Sequence, residues 1–107
     1  MMNEALNNLL EAIKFDYANY SNSNSEHRKR MIEEFNNKVS FKIGKKYIKV
    51  IAGSSVWGFI VNEADGKFRV GDILKAASWA APAKNSARGN ILDGDYKISW
   101  TGPNYLR

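Results

Sequence analysis

The sequence predicts an α+β fold, two N-terminal helices followed by a mostly antiparallel β-sheet of about five to six strands. Three observations predict it. Apolar residues recur at three- and four-residue steps through the first third of the chain. From Val39 onward apolar and polar residues alternate instead. Beyond that, turn-forming Gly, Asn and Asp residues separate short apolar runs. Helices grouped before strands, rather than interleaved with them, imply α+β in place of a parallel α/β sheet.

Leu6, Leu9, Leu10, Ile13, Tyr17 and Tyr20 share one face of a first helix. Glu4 and Glu11 lie early in it, where the helix dipole favours acids. The Ser/Asn run 21–25 breaks the pattern, and Ser25 suits the N-cap of a second helix with Glu26 in its first turn. That helix turns Met31, Ile32, Phe35 and Val39 inward. Val39, Phe41 and Ile43 begin a half-buried strand. Gly44-Lys45 suits a two-residue hairpin turn with glycine first, and Lys46 to Ala52 returns as its partner. Val56 to Val61 is apolar on both faces, with Trp57, Phe59 and Val61 opposed to Val56, Gly58 and Ile60, so it is central in the sheet. Short strands come next at 67–70, 73–75 and 96–100. The block from Ala76 to Gly89 is rich in small residues and reads as an ordered loop. The helices cover one sheet face or pair with the same helices of another subunit.

With 107 residues, one domain is expected over 1–107, divided into a helical pair at 1–38 and a sheet at 39–107 that carries the ordered loop 76–90. An apolar content of 44% is too high for a disordered chain. There is no cysteine, so disulfides and thiolate metal sites are excluded. The N-terminus lacks the continuous apolar run of a signal peptide, and no stretch approaches the roughly 20 apolar residues of a membrane span. A soluble, cytoplasmic protein is expected.

The net charge is +5, and its excess is local. Between Arg28 and Lys49 stand eight basic residues and two acidic ones. Arg28, Lys29, Arg30, Lys42, Lys45, Lys46 and Lys49 form a candidate basic patch, suited to polyanions, phosphates or an acidic protein face; a solvated face is the plainer alternative. Arg28 to Arg30 sit in the first turn of a helix, where positive charge is unfavourable. Tyr47 and Lys49 share a strand face with Lys42 across the hairpin. Sheet faces that mix aromatics and lysines resemble single-strand nucleic-acid platforms.

The second constellation lies in the small-residue loop. Lys75, Ser78, Trp79, Lys84, Asn85, Arg88 and Asn90 stand out there against Ala, Gly and Pro. Small neighbours let a ligand approach the backbone. Arg and Lys give charge-assisted hydrogen bonds to phosphate, and Trp offers a face for a base. This is the composition of a nucleotide or phosphate site. Equally, Trp57, Trp79 and Trp100 can fill a core, and Asn85 and Asn90 can form turns. Catalysis is not expected. The single histidine, His27, has no second histidine or cysteine to work with. Asp65, Asp72, Asp93 and Asp95 read as turn residues. Asp93-Gly94-Asp95 lacks the remaining ligands of an EF-hand, and no glycine-rich phosphate fingerprint is present. No metal or cofactor is expected.

Four segments carry a resemblance: Val56-Trp57-Gly58-Phe59-Ile60-Val61; Gly71-Asp72-Ile73-Leu74-Lys75-Ala76-Ala77-Ser78-Trp79; Pro82-Ala83-Lys84 with Ala87-Arg88-Gly89-Asn90; and Ser99-Trp100-Thr101-Gly102-Pro103 with Tyr105-Leu106-Arg107. Over about half the chain, from Val56 to Arg107, they resemble a family of small tailed-bacteriophage proteins. The resemblance implies an accessory protein acting in the cytoplasm of an infected bacterium, and it brings no catalytic residues. In size and composition the chain is similar, in broad outline, to the Thoeris anti-defence sponges, which sequester nucleotide immune signals. The function expected is non-enzymatic binding of a small anionic nucleotide by a homo-oligomer. In that reading Lys75, Lys84 and Arg88 grip phosphates, Trp79 stacks on a base, and Asn85 or Asn90 reads polar edges. The alternatives are a nucleic-acid-binding protein that uses the basic patch, or an inhibitor docking on an acidic host protein.

Overall fold

The computed structural model describes residues 2–19, 26–64, 66–84, 87–94, 96, 98–99 and 102–103. Helix α1 (Met2–Asn19) buries Leu6, Leu9, Leu10, Ile13 and Tyr17, the face its periodicity predicts. Tyr20 and the Ser25 cap fall outside the described residues. Helix α2 (Glu26–Asn37) buries Phe35, while Met31 and Ile32 are half-buried. No helix among the described residues is long and apolar enough to cross a membrane.

The join between the helices corrects the reading of Arg28. It does not belong to the basic surface but is buried, 5% exposed. Its guanidinium donates a hydrogen bond to the Tyr17 carbonyl and lies 4.6 Å from the centre of the Tyr17 ring. Phe35 stacks on the same ring at 3.9 Å. Tyr17 is in the last turn of α1, whose final carbonyls have no partner within the helix. A cation there also meets the negative end of the α1 dipole. The charge that is unfavourable at the start of α2 therefore closes the end of α1.

Four strands, β1 (Val39–Ile43), β2 (Tyr47–Ala52), β3 (Ser55–Val61) and β4 (Ile73–Leu74), form one sheet in the order β1-β2-β3-β4. All neighbours are antiparallel. The main sheet thus has four strands rather than five or six. Residues 67–70 make only a bridge at Phe68 and a turn. Of the expected strand 96–100, β5 (Ile98–Ser99) pairs with β6 (Gly102–Pro103) in a separate ribbon. Segment 88–91 runs beside 71–73 without a regular ladder. The Ile73 N–H donates to Gly89, the Arg88 N–H to Ile73 and the Ile91 N–H to Gly71, at 2.7–2.9 Å.

Ile48, Val50, Ala52, Trp57, Ile60 and Ile73 pack with the buried face of α1, so α1 covers its own sheet. On the other face Phe59, Val61, Phe68 and Leu74 form a second, smaller cluster. A bulge decides which β3 side chains go where. Val50 pairs with Gly58 and Ile51 with Val56, so the pairing skips Trp57. One extra residue in a strand reverses the facing of the residues beyond it. Trp57 therefore joins Ile60 on the helix side, and Val56 joins Phe59 and Val61 on the opposite side, which corrects the expected alternation.

The first hairpin turn also differs from expectation. The Gly44 N–H donates to the Tyr47 carbonyl at 3.0 Å, which leaves Lys45 and Lys46, not Gly44 and Lys45, at the tip. The glycine-first turn is instead the next one, where Gly53 (φ 68°) comes directly after β2.

Candidate functional site

The register builds the site. Lys42, Lys49, Phe59 and Leu74 are direct cross-strand neighbours and form one row on the face away from α1. Tyr47 shares that face beside Val61. Toward β4 the row is covered by the second cluster. Toward β1 it is open, and the small-residue loop overhangs it.

That loop is itself a small hairpin. The Ala77 and Ser78 N–H groups donate to Ala81 at 2.9 and 3.1 Å, and the Ala83 N–H donates to Lys75 at 2.7 Å. Trp79 is carried at its tip and is 57% exposed, so it is not a core residue. The Lys49 ammonium lies 4.7 Å from the centre of the Trp79 ring. The Lys84 ammonium lies 5.5 Å from the centre of the Tyr47 ring. Tyr47 meets Phe59 edge-on at 6.3 Å. The Tyr47 hydroxyl is shielded from solvent and has no hydrogen-bond partner among the described residues.

Between the loop and the β1–β2 hairpin lies an open cleft of about 420 Å³. Its charged lining is Lys42, Lys45, Lys46 and Lys49, with Tyr47, Phe59 and Ala80 as walls and no carboxylate among its lining residues. The tip is held from the far end of β3. The Asn62 side chain donates to the Gly44 carbonyl at 2.9 Å, and the Asn62 N–H to Lys46 at 2.8 Å. Lys42 and Lys49 face each other directly, a like-charge pairing that destabilises a sheet. Each lysine added around the cleft increases that repulsion, and a bound anion relieves it.

Two sets of residues that are separate in sequence thus come together: Lys42, Lys45, Lys46 and Lys49 of the hairpin line the cleft, and Trp79 and Lys84 of the loop stand at its edge, through the Trp79–Lys49 and Lys84–Tyr47 contacts. The other expected ligand residues do not join them. Lys75 is exposed just beyond β4. Ser78 is exposed on a separate shallow groove with Ser54 and Ser55, a groove that the other side of the loop tip, with Trp79, also lines. Asn85 lies outside the described residues, as do Trp100, Asp65 and Asp95. Lys29 and Arg30 are exposed on α2 and do not line the cleft.

Arg88 and Asn90 require correction. Each is only 2% exposed, and neither lines the cleft. The Asn90 amide is fully committed. Its nitrogen donates to the Val70 carbonyl at 3.0 Å and to Asp72 Oδ1 at 2.9 Å. Its oxygen accepts from the N–H groups of Leu92 and Asp93 at 2.8 and 3.1 Å. An amide has two donor hydrogens and two acceptor lone pairs, so none is left for a ligand. Asp72 also accepts from the Arg69 N–H at 2.8 Å. Gly71 (φ 95°) belongs to the same knot, since a Cβ there would lie 2.8 Å from Asn90 Oδ1. Asn62, the residue that fixes the lysine tip, carries no sequence signal beyond being a turn-forming residue type after an apolar run.

Among the described residues, no group of three or more His, Cys, Asp or Glu could hold a metal ion. A family model described as a family of unknown function, DUF7717, matches residues 1–105. The chain belongs to that family. The DUF7717 match takes in both helices, the lysine hairpin and the Trp79 loop, a wider span than the C-terminal half that carries the phage resemblance. No curated protein and no solved structure matches the chain.

Proposed function

We propose that this DUF7717 protein is a non-enzymatic nucleic-acid-binding protein, and that the cleft between the lysine hairpin and the Trp79 loop is its binding surface. The observation that carries this reading is the cleft's one-sided chemistry. Lys42, Lys45, Lys46 and Lys49 line it with no carboxylate among its lining residues, and aromatic groups stand between them. Lysines placed along an open surface neutralise successive phosphates, and the release of counterions supplies the affinity. Aromatics among them add stacking that does not depend on base sequence.

A small anionic nucleotide is the second reading. The cleft volume falls within the range of small-ligand sites, about 300–1,000 Å³. Combined with a phage origin, it would make the protein a homo-oligomeric sponge for a host immune signal in the infected cell. Its support is weaker than expected from sequence, because Arg88 and Asn90 are buried and do not line the cleft. An acidic host protein is the remaining candidate partner.

The test is the affinity for a fluorescently labelled oligonucleotide as salt is raised. Engagement of three or four phosphates predicts a slope of log K against log salt of about −2 to −3 for a single strand. Excess mononucleotide should not displace the oligonucleotide. Displacement by mononucleotide at matching concentration would establish the small-ligand reading instead. Binding that ignores salt would exclude both anionic readings.

A further inference from the structure

The Trp79 loop is built to present a ring to a ligand. A tryptophan more than half exposed loses the burial that normally stabilises it. Here it stands at a loop tip among small neighbours, Ala77, Ser78, Ala80 and Ala81, and is 57% exposed although the Lys49 ammonium lies over one face of the ring. The loop is closed at its base by the Ala76–Pro82 bridge and by the Ala83 to Lys75 hydrogen bond, so the ring is carried on an ordered support. Lys49 approaches the ring at 4.7 Å from the sheet below. The arrangement sets an ammonium group against one face of an exposed ring, with Lys45 and Lys46 lining the adjoining cleft.

We infer that Trp79 is a base-stacking platform and that the cleft selects unpaired over duplex nucleic acid. This deepens the nucleic-acid reading and rests on it. The ligand that satisfies a ring and an adjacent ammonium together has a planar base linked to a phosphate. In a duplex the bases are already stacked and only the edge of each pair is accessible, so Trp79 gains nothing. In a single strand a base can turn out onto the ring while its phosphates track the lysines. Lysines alone would bind the duplex at least as well, because it carries the higher charge density. The preference therefore belongs to Trp79.

The experiment compares a labelled oligothymidine with a duplex of equal length, for the wild type, Trp79→Phe and Trp79→Ala. Thermal melts run alongside, and because Trp79 is exposed they should superimpose. The wild type should prefer the single strand. Trp79→Ala should weaken single-strand binding roughly ten-fold or more, lose the preference and keep the same salt slope. Trp79→Phe should retain most of the affinity. Unchanged single-strand affinity in Trp79→Ala, with salt-dependent binding intact, would overturn the platform and leave the nucleic-acid reading standing. If neither strand binds the wild type, the nucleic-acid reading is overturned, and this inference falls with it.

Discussion

Replacing both tip lysines, Lys45→Glu with Lys46→Glu, is expected to weaken oligonucleotide binding severely without unfolding the protein. Both side chains are exposed, and the turn is held by main-chain bonds and by Asn62 rather than by the lysines themselves. Surface substitutions of this kind usually change stability by only about 0.5 kcal/mol. Binding suffers twice, since two attractions become two repulsions. Unit charges at contact distance near a protein surface interact by up to about 4 kcal/mol, so even heavily screened the double reversal should cost roughly a hundred-fold in affinity. The matched control is Lys29→Glu with Arg30→Glu on α2. It makes the same change in net charge on residues that do not line the cleft, and should cost only a few-fold through the general field. Equal losses in the two variants would mean that net charge, not the cleft, drives binding. Fluorescence anisotropy at fixed salt reads both.

Asn90→Ala is expected to be among the most destabilising single changes in the molecule. It removes four hydrogen bonds and leaves the 6%-exposed Asp72 carboxylate without its amide donor. Stranding buried polar groups costs about 1–3 kcal/mol each, more when one is charged. A total of about 3–5 kcal/mol is a large share of the roughly 5–15 kcal/mol that holds a small domain together. The melting temperature should fall by roughly 15 °C or more, as monitored by circular dichroism. A variant that melts like the wild type and fails only to bind ligand would return Asn90 to the site.

The cleft lysines and Asn90 differ in how legible their roles were in the sequence, and the same division runs through the fold. The buried face of α1 was legible, because a 3.6-residue period leaves a regular imprint on Leu6, Leu9, Leu10, Ile13 and Tyr17. The β1–β2 pair was, because Val39 and Phe41 alternate with Ser40 and Lys42, and Tyr47 and Lys49 alternate with Ile48 and Val50. The exchange of Trp57 and Val56 between faces was not, because a bulge is a property of pairing and the run from Val56 to Val61 offers no polar residue to mark a face. Arg28 reads as a surface cation until Tyr17 is placed beside it. Arg88 and Asn90 stand among small residues, a context that suggests exposure, and their burial depends on segment 88–91 lying along 71–73. The site itself was legible in two halves. Lys42 to Lys49 stood out by charge and Trp79 to Lys84 by contrast with alanines, but only the sheet register brings Lys49 under Trp79.

The most direct test of the central claim is where a ligand perturbs the protein. Backbone amide and indole resonances of the isotopically labelled chain should be monitored as oligothymidine is added. Shifts concentrated on residues 42–49 and 76–84, with the Trp79 indole moving and α1 unmoved, are the predicted result. Shifts centred on α2, or on a second groove, lined by Met2, Val70 and Leu92 at the start of α1, would contradict the account and place the function elsewhere on the molecule.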